Sequence, residues 1–513
     1  MKKLLATLLL CLISLISEAQ SGYEIKIDLK HCKDTTAYLT FYQFDKTLIK
    51  DTCRNIKNGK IIFKGKEKLD KGIYSLVSQQ KNIYFDFIID ESTQKLELKS
   101  DAPEIYIKDL IATNAKSQND FFNYLKFINK QGSALDSVYK KSKNLSKKDS
   151  IALINAKQKI FYDQVLAYEE KLYETNKGNY IGDLLNLKIE KTLKNVPKAS
   201  NGRPDSLMVY NYYKNHYWDN VNFKDDAICR TPVFANKLKR YFDSVILKHP
   251  DSVAVEVDRI LDQTAQGSLL NKLLIAHFTY QYETSKVMGF DKVFVHLVER
   301  YFKTGKADGI YDNSDVVKNV IDRANKISPL LIGKTAPDLA MINITDRPKI
   351  AQMGFETVKN STEATNLFHA NFQEIEKTFT KLHEVKADYT LLVFWDVDCG
   401  HCQKEIPKIL EEYHALQKQN KDIKVFAVYT EKEYDKYIKY LDEKKLDWIN
   451  VYDGTYFNNI NSKYDIVSTP VVYLLDKNKT IKAKHFSATN IKDIVNALEI
   501  EAAKEKNSIT PTN

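Results

Sequence analysis

The sequence predicts three folded regions: an N-terminal all-β sandwich, a central all-α domain and a C-terminal α/β domain. Residues 21–115 alternate apolar and polar side chains, which is typical of β strands. Residues 116–328 repeat apolar side chains at helical spacing, and residues 329–513 alternate strand-like and helix-like segments. A chain of 513 residues also exceeds what one hydrophobic core holds, since single cores stop growing near about 250–300 residues.

The composition is that of a globular protein, with 43% hydrophobic and 28% charged residues. The net charge of +10 comes from 77 basic and 67 acidic side chains that are dispersed along the chain. No block of lysine and arginine with interleaved aromatic residues marks a nucleic-acid track. We therefore expect a solvated, lysine-rich surface and no nucleic-acid partner.

Residues 1–20 have the pattern of a secretory signal peptide. Two lysines precede the apolar run Leu4 to Ile16, and small residues follow up to Ala19. The run is short for a membrane span, which needs about 20 apolar residues. A lipoprotein site is disfavoured because Leu10 stands before Cys11, where a small residue is required. We expect an exported protein of the periplasm or cell envelope that does not span the membrane after cleavage.

Six strand candidates fill residues 21–115, with turn signals such as KDTT and KNGK between them. Their spacing predicts an antiparallel sandwich or barrel. The strand candidates are YEIKIDL, AYLTFYQF, KIIFKGK, IYSLVS, IYFDFIID and KLELKS. Cys32 and Cys53 lie in this region, either as a bridge between strands or, as the sequence favours, as two separate buried thiols.

The central region predicts an irregular helical domain. The segment NDFFNYLKFINKQG places four apolar side chains on one helical face, and proline and glycine separate later amphipathic stretches. His216 stands among aromatic residues, where core packing is favoured because no second histidine or carboxylate lies at ligand spacing. Cys229 stands alone and is expected to be a buried small hydrophobe.

From residue 329 the elements follow the order β-α-β-α-β-β-α. TLLVFWDV is a continuous apolar run, as expected of a strand covered on both faces of its sheet. The next segment, CGHCQKEIPKILEEYHALQKQ, is typical of a helix. Cys399 and Cys402 are thus predicted to lie where a strand gives way to the N-terminus of a helix.

Three roles are open to this cysteine pair. A structural zinc site needs four nitrogen or sulfur ligands, and no second CxxC or HxxxH is present, so no metal and no other cofactor is expected. A disulfide across two intervening residues is strained and readily reduced, which suits exchange better than structural support. The spacing therefore favours a redox dithiol.

The helix N-terminus assigns different roles to the two sulfurs. Unpaired N–H groups and the helix dipole stabilise a thiolate at Cys399, so its pKa should fall below the free value of about 8.5. We expect Cys399 to attack a substrate disulfide and Cys402, one turn later, to resolve the mixed disulfide. His401 can add positive charge near the thiolate.

The motifs FW…CGHC…EIP and VSTPVVYLLD resemble the thioredoxin superfamily, in particular its exported TlpA-like branch, over residues 329–513. The resemblance implies a thioredoxin fold and thiol–disulfide oxidoreductase activity. It implies that Thr469 and Pro470 form the cis-proline loop that faces the disulfide and pairs with the substrate backbone. By the same resemblance, Trp395 is the aromatic residue beside the site, counted with the substrate-binding residues.

The EIP part of the motif implies two further roles. Glu405 matches a partly buried glutamate that could accept the proton of Cys402. Pro407 matches a proline that kinks the first helix. The CGHC motif also counts Gly400 among the site residues, between the nucleophile Cys399 and His401.

Two departures from cytosolic thioredoxins leave the direction of electron flow open. Val393 holds the place of a buried aspartate, and Asp398 holds the place of a tryptophan. Asp396 and Asp398 are nearby alternative proton acceptors, although a surface charge is favoured for Asp398. The Gly-His dipeptide of the motif resembles protein disulfide isomerase.

The upstream regions resemble modules that precede thioredoxin domains in exported proteins of Bacteroidetes-type bacteria. Residues 21–115 resemble DUF4369. YLKFINKQG and HYWDNVNF…RTPVFANKL, within 116–328, resemble DUF5106. Residues 355–389 resemble an insertion between the first two strands of the thioredoxin domain.

The favoured function is an exported oxidoreductase of protein disulfides, working as a reductase that draws electrons from an unidentified membrane thiol donor. Isomerase and oxidase are close variants. A thiol peroxidase is disfavoured because Asp396 stands where that class needs threonine. The non-enzyme alternative is an envelope binding or assembly protein with a thioredoxin domain as docking module, because about two-thirds of the chain carries no visible chemistry.

Overall fold

The computed structural model describes residues 22–509, and the predicted signal peptide lies outside them. The described chain divides into two compact units. The first contains the residues up to 248 together with 259–273, and the second contains 249–258 and the residues from 274 onward. Within 22–509 no helix is long and apolar enough to cross a membrane.

Eight strands open the first unit and form two four-stranded sheets, in the orders β4-β1-β7-β8 and β3-β2-β5-β6. The strands are β1 Tyr23–Leu29, β2 Thr36–Gln43, β3 Lys46–Arg54, β4 Lys60–Gly65, β5 Gly72–Val77, β6 Ile83–Ile89, β7 Lys95–Ser100 and β8 Ile111–Ala112. Buried side chains of both sheets share one core, which makes this region the predicted sandwich.

The sandwich departs from the prediction in two places. β1 and β7 pair in parallel, so the sheets are not purely antiparallel. Two strands were missing from the predicted set: β3, whose side chains are exposed or half-buried and show no alternation, and β8, whose two residues are too few for a period to show. Cys32 and Cys53 are half-buried free thiols rather than a bridge, and burial is the main cause that raises the pKa of Cys32.

The central region is helical, as predicted. Its helices are α1 Lys116–Ser142, α2 Lys147–Thr175, α3 Tyr180–Lys188, α4 Ser206–His216, α5 Pro232–Arg240, α6 Pro250–Leu261, α7 Leu269–Glu283, α8 Asp291–Leu297 and α9 Ser314–Ile327. Cys229 is fully buried, which raises its pKa to about 11. His216 contacts the Asp219 carboxylate at 2.7 Å, and these helices hold no cluster of three or more metal-ligating side chains.

The second unit contains a seven-stranded mixed sheet in the order β10-β9-β13-β12-β11-β14-β15. Its strands are β9 Ala340–Asn343, β10 Phe379–Lys381, β11 Tyr389–Trp395, β12 Ile423–Tyr429, β13 Ile449–Tyr452, β14 Val471–Asp476 and β15 Ile481–Lys484. Its helices are α10 Arg347–Gln352, α11 Ser361–Ala370, α12 Phe372–Glu376, α13 Gly400–Lys418, α14 Tyr434–Lys444, α15 Ile460–Lys463 and α16 Ile491–Ile509.

The interior strand β11 positions the site. It is parallel to β12 and antiparallel to β14, and the side chains from Thr390 to Trp395 are buried, as its continuous apolar sequence predicts. The predicted insertion, residues 355–389, runs from a point after β9 to the first residue of β11 and contains α11, α12 and the short strand β10, which pairs with β9.

Charged side chains join α8 and α9 to residues of the sheet and of its connecting segments within the second unit. Arg323 of α9 donates two hydrogen bonds to Asp465, at 3.0 and 3.2 Å. Lys484, at the end of β15, is buried, forms an ion pair with Asp291 of α8 and donates to the Leu330 carbonyl at 2.8 Å.

Candidate active site

Cys399 lies at the N-terminus of α13, four residues after Trp395 at the end of β11. It is the N-cap residue, and the backbone N–H of Cys402 points to its Sγ at 3.4 Å. The side chain of Gln403 donates to the Val397 carbonyl at 2.9 Å, which fixes the loop before the helix. The first sulfur therefore sits at the positive end of the helix dipole, as predicted from the sequence.

The loop before β14 faces this sulfur. The Thr469–Pro470 peptide bond is cis, as the family resemblance implied. The Cys399 thiol donates to the Thr469 carbonyl oxygen, with a sulfur–oxygen distance of 3.1 Å. The predicted pairing of Thr469 with a substrate backbone stays a prediction.

The two thiols differ in acidity. Burial opposes ionisation of Cys399, but hydrogen bonds from the Thr469 side chain and from the backbone of Cys402 and His401 outweigh it, so its pKa is lowered. Burial is the main cause that raises the pKa of Cys402, to about 12. Cys399 is half-buried and Cys402 is fully buried. The geometry thus gives one accessible nucleophile and one protected partner.

Gly400 and His401 form the exposed first turn of α13. A Cβ at Gly400 would meet no atom within 4 Å, so this turn borders open space. The His401 imidazole is solvent-exposed, and its predicted effect on the thiolate stays a prediction. Asp398 forms an exposed ion pair with Lys436 at 2.9 Å, which agrees with the surface role favoured for it.

Glu405 is held by two residues that lie between β15 and α16 and by a lysine one turn further along α13. Its Oε2 accepts from the Ala488 backbone N–H at 2.9 Å and from the Ser487 hydroxyl at 3.1 Å, and its Oε1 pairs with Lys408 at 3.0 Å. Burial opposes ionisation, but these contacts outweigh it and lower the pKa. A carboxylate of low pKa is a weak proton acceptor, and that role for Cys402 stays a prediction.

Replacing Glu405 with glutamine is expected to lower the free energy of unfolding by about 1 kcal/mol at neutral pH. The folded pKa lies below the unfolded value, so this stabilisation is present above about pH 4.3 and disappears as the pH falls through the folded pKa. Urea unfolding at pH 7 and pH 3 measures it, with the exposed Glu411→Gln as control. An equal loss at both pH values would contradict the assignment.

Trp395 requires a correction. It was expected among the substrate-binding residues, but it is 0% exposed and cannot touch a docked substrate. Its ring packs against Tyr437 and Tyr440 of α14, with centroid distances of 5.5 and 5.4 Å. The indole instead supports the strand end from which the Cys399 loop begins.

Sequence reasoning missed Tyr440. Burial raises the pKa of Tyr440, and the charge of a Cys402 thiolate adds to this, so the phenol lies near the second sulfur. Among residues 22–509 its buried hydroxyl has no hydrogen-bond partner. The signal in the sequence was the spacing of Tyr437 and Tyr440 on one face of EYDKYIKYLDEK, which placed both on the buried side of α14.

A strand followed by a short loop, an accessible cysteine that caps the next helix and a cis-proline loop opposite it define a thioredoxin-like site. Family comparisons agree: residues 363–484 match the AhpC/TSA family, and residues 170–316 match a domain of unknown function, DUF5106. The chain belongs to the thioredoxin superfamily, and the predicted resemblance to DUF5106 is confirmed over residues 170–316. The resemblance of the sandwich to DUF4369 stays a prediction.

Solved structures offer further comparison. A domain of a possible thiol-disulfide isomerase from Cytophaga hutchinsonii is 32% identical, with 34% of this chain and 99% of that chain covered and a TM-score of 0.27. A thioredoxin-like protein from Bacteroides caccae is 19% identical, with 59% and 98% covered and a TM-score of 0.32. A thioredoxin domain of a Bacteroides vulgatus thiol-disulfide oxidoreductase is 22% identical, with 33% and 95% covered and a TM-score of 0.24. No curated protein matches the chain.

Proposed function

We propose that this protein is an exported thiol–disulfide oxidoreductase that reduces protein disulfides through Cys399 and Cys402. The observation that carries the proposal is the asymmetry of the pair: an accessible sulfur of lowered pKa at a helix N-terminus, and a buried sulfur with a pKa of about 12. Isomerase and oxidase, the close variants of this function, use the same cysteine pair and differ in its reduction potential.

The reaction proceeds in two displacements. The Cys399 thiolate attacks one sulfur of the substrate disulfide, a mixed disulfide forms and the other substrate sulfur leaves as a thiolate. Cys402 then loses its proton and attacks the Cys399 sulfur, which releases the second substrate thiolate. Two electrons pass to the substrate, the enzyme is left with a Cys399–Cys402 disulfide, and an external dithiol donor must reduce it again.

The reduction potential of the Cys399–Cys402 pair decides the direction of electron flow. Equilibration of the pair with glutathione at neutral pH should give a value near about −270 mV for a reductase. A value at or above about −180 mV would replace this proposal with an isomerase or oxidase. Failure of the pair to equilibrate would instead favour the envelope binding protein.

The pH dependence of alkylation should distinguish the Cys399 thiol from the Cys32 thiol. Cys399 is expected to react with iodoacetamide with a midpoint below about 8.5, because its folded environment favours the thiolate. Cys32, whose pKa is raised mainly by burial, should react with a higher midpoint and serves as the internal control. Peptide mass spectrometry after timed alkylation measures each site. Equal midpoints for Cys399 and Cys32 would contradict the prediction.

A further inference from the structure

A cavity of about 420 Å³ lies beside the cis-proline loop, entirely within the second unit. Ser468 and Pro470 line one side of it. The segment from residue 285 to 291, which connects α7 to α8 in the helical region, lines the other side. Ser468 and Pro470 flank Thr469, whose carbonyl oxygen is 3.1 Å from the Cys399 sulfur. The cavity therefore lies beside the reacting sulfur.

The rim of this cavity carries three exposed apolar side chains next to the polar Ser285 and Lys286. Val467 is 76% exposed, Val287 56% and Met288 42%. Met288 is also anchored, because its sulfur accepts from the Lys484 backbone N–H at 3.4 Å. Three exposed apolar side chains around one cavity mark a surface for binding, whereas isolated ones would need no explanation.

Most of the charged side chains in the cavity wall form ion pairs, while Lys286 lies exposed beside Val287. Arg323 binds Asp465 and also contacts Glu283 at 3.3 Å, and Asp291 pairs with the buried Lys484. These contacts fix the wall before any ligand arrives and leave the rim free to select by apolar contact.

We propose that Val287 and Met288 bind an apolar side chain that neighbours the disulfide cysteine of an extended substrate peptide. Successive residues of an extended peptide are about 3.3 Å apart, so a substrate sulfur at Cys399 brings its neighbours to the cavity rim. The helical region thereby selects which protein disulfides are reduced. This inference rests on the proposed function and names its substrate class.

The test uses the full chain and two disulfide-linked peptide dimers that differ only in leucine or serine beside the cysteine. The parent should show a kcat/KM about tenfold higher for the leucine peptide, and Val287→Asp and Val287→Ser should reduce this preference to about one. The control Val255→Asp changes an exposed valine on α6, 64% exposed and outside the cavity, and should keep the preference. Hydroxyethyl disulfide, too small to reach the rim, should be reduced equally by all variants.

The outcomes separate the two proposals. An unchanged leucine preference in both Val287 variants overturns the inference and leaves the proposed function standing. If the parent reduces neither the peptides nor hydroxyethyl disulfide, the proposed function fails, and the substrate role of Val287 fails with it.

Discussion

Cys399→Ser is expected to reduce protein-disulfide reduction to the uncatalysed rate, and Cys402→Ala is expected to trap a mixed disulfide with the substrate. Serine at 399 removes the only accessible sulfur of the pair, while alanine at 402 removes the resolving sulfur and leaves the nucleophile intact. Insulin reduction measures the first effect, and non-reducing electrophoresis with mass spectrometry measures the second.

The matched control for these two variants is Cys53→Ser, which removes a half-buried thiol that lies in the sandwich. It should retain full activity. Full activity of Cys399→Ser would eliminate the proposed mechanism. A mixed disulfide formed by Cys399→Ser through Cys402 would reverse the assigned roles of the two sulfurs.

Trp395→Ala should lower the free energy of unfolding of the second unit by about 3–5 kcal/mol. The indole is fully buried against the tyrosines of α14, so its loss leaves a large cavity under the end of β11. Urea unfolding followed by far-ultraviolet circular dichroism measures the loss. Ile500→Ala, at a position 56% exposed, is the control and should change stability by less than about 0.5 kcal/mol.

A second substitution distinguishes support from substrate contact. Trp395→Phe keeps an aromatic ring in the core, so its free energy of unfolding should fall less than that of Trp395→Ala. Its KM should stay within about twofold of the parent value. A raised KM without a loss of stability would restore the substrate contact that the sequence suggested for Trp395.

What could be predicted followed from local patterns. The strand that ends before Cys399 and the helix that begins there are both encoded within a few residues, by a continuous apolar run and a helical repeat. The six predicted strands of the sandwich likewise alternate along their own sequence. Such features need no knowledge of distant contacts.

The missed features depend on distant partners or on short elements. β13 has four residues and β10 has three, too few for a period to show. The parallel pairing of β1 with β7 joins residues about 70 positions apart. Trp395 became a core residue only because α14 folds over it, and Glu405 is held by Ala488, which no local pattern links to it.

The buried pair of Lys484 and Asp291 bears on how freely this redox domain can be transplanted. A cut at residue 329 would keep Lys484 and its Leu330 carbonyl but remove the carboxylate that balances its charge. Where the remaining charge stays buried, removing one member of such a pair costs about 3–5 kcal/mol. A transfer of this domain to another chain must therefore include α8 or replace Lys484 with an uncharged residue. The part of the chain that can be transferred as a folded unit is thus longer than the family motif suggests.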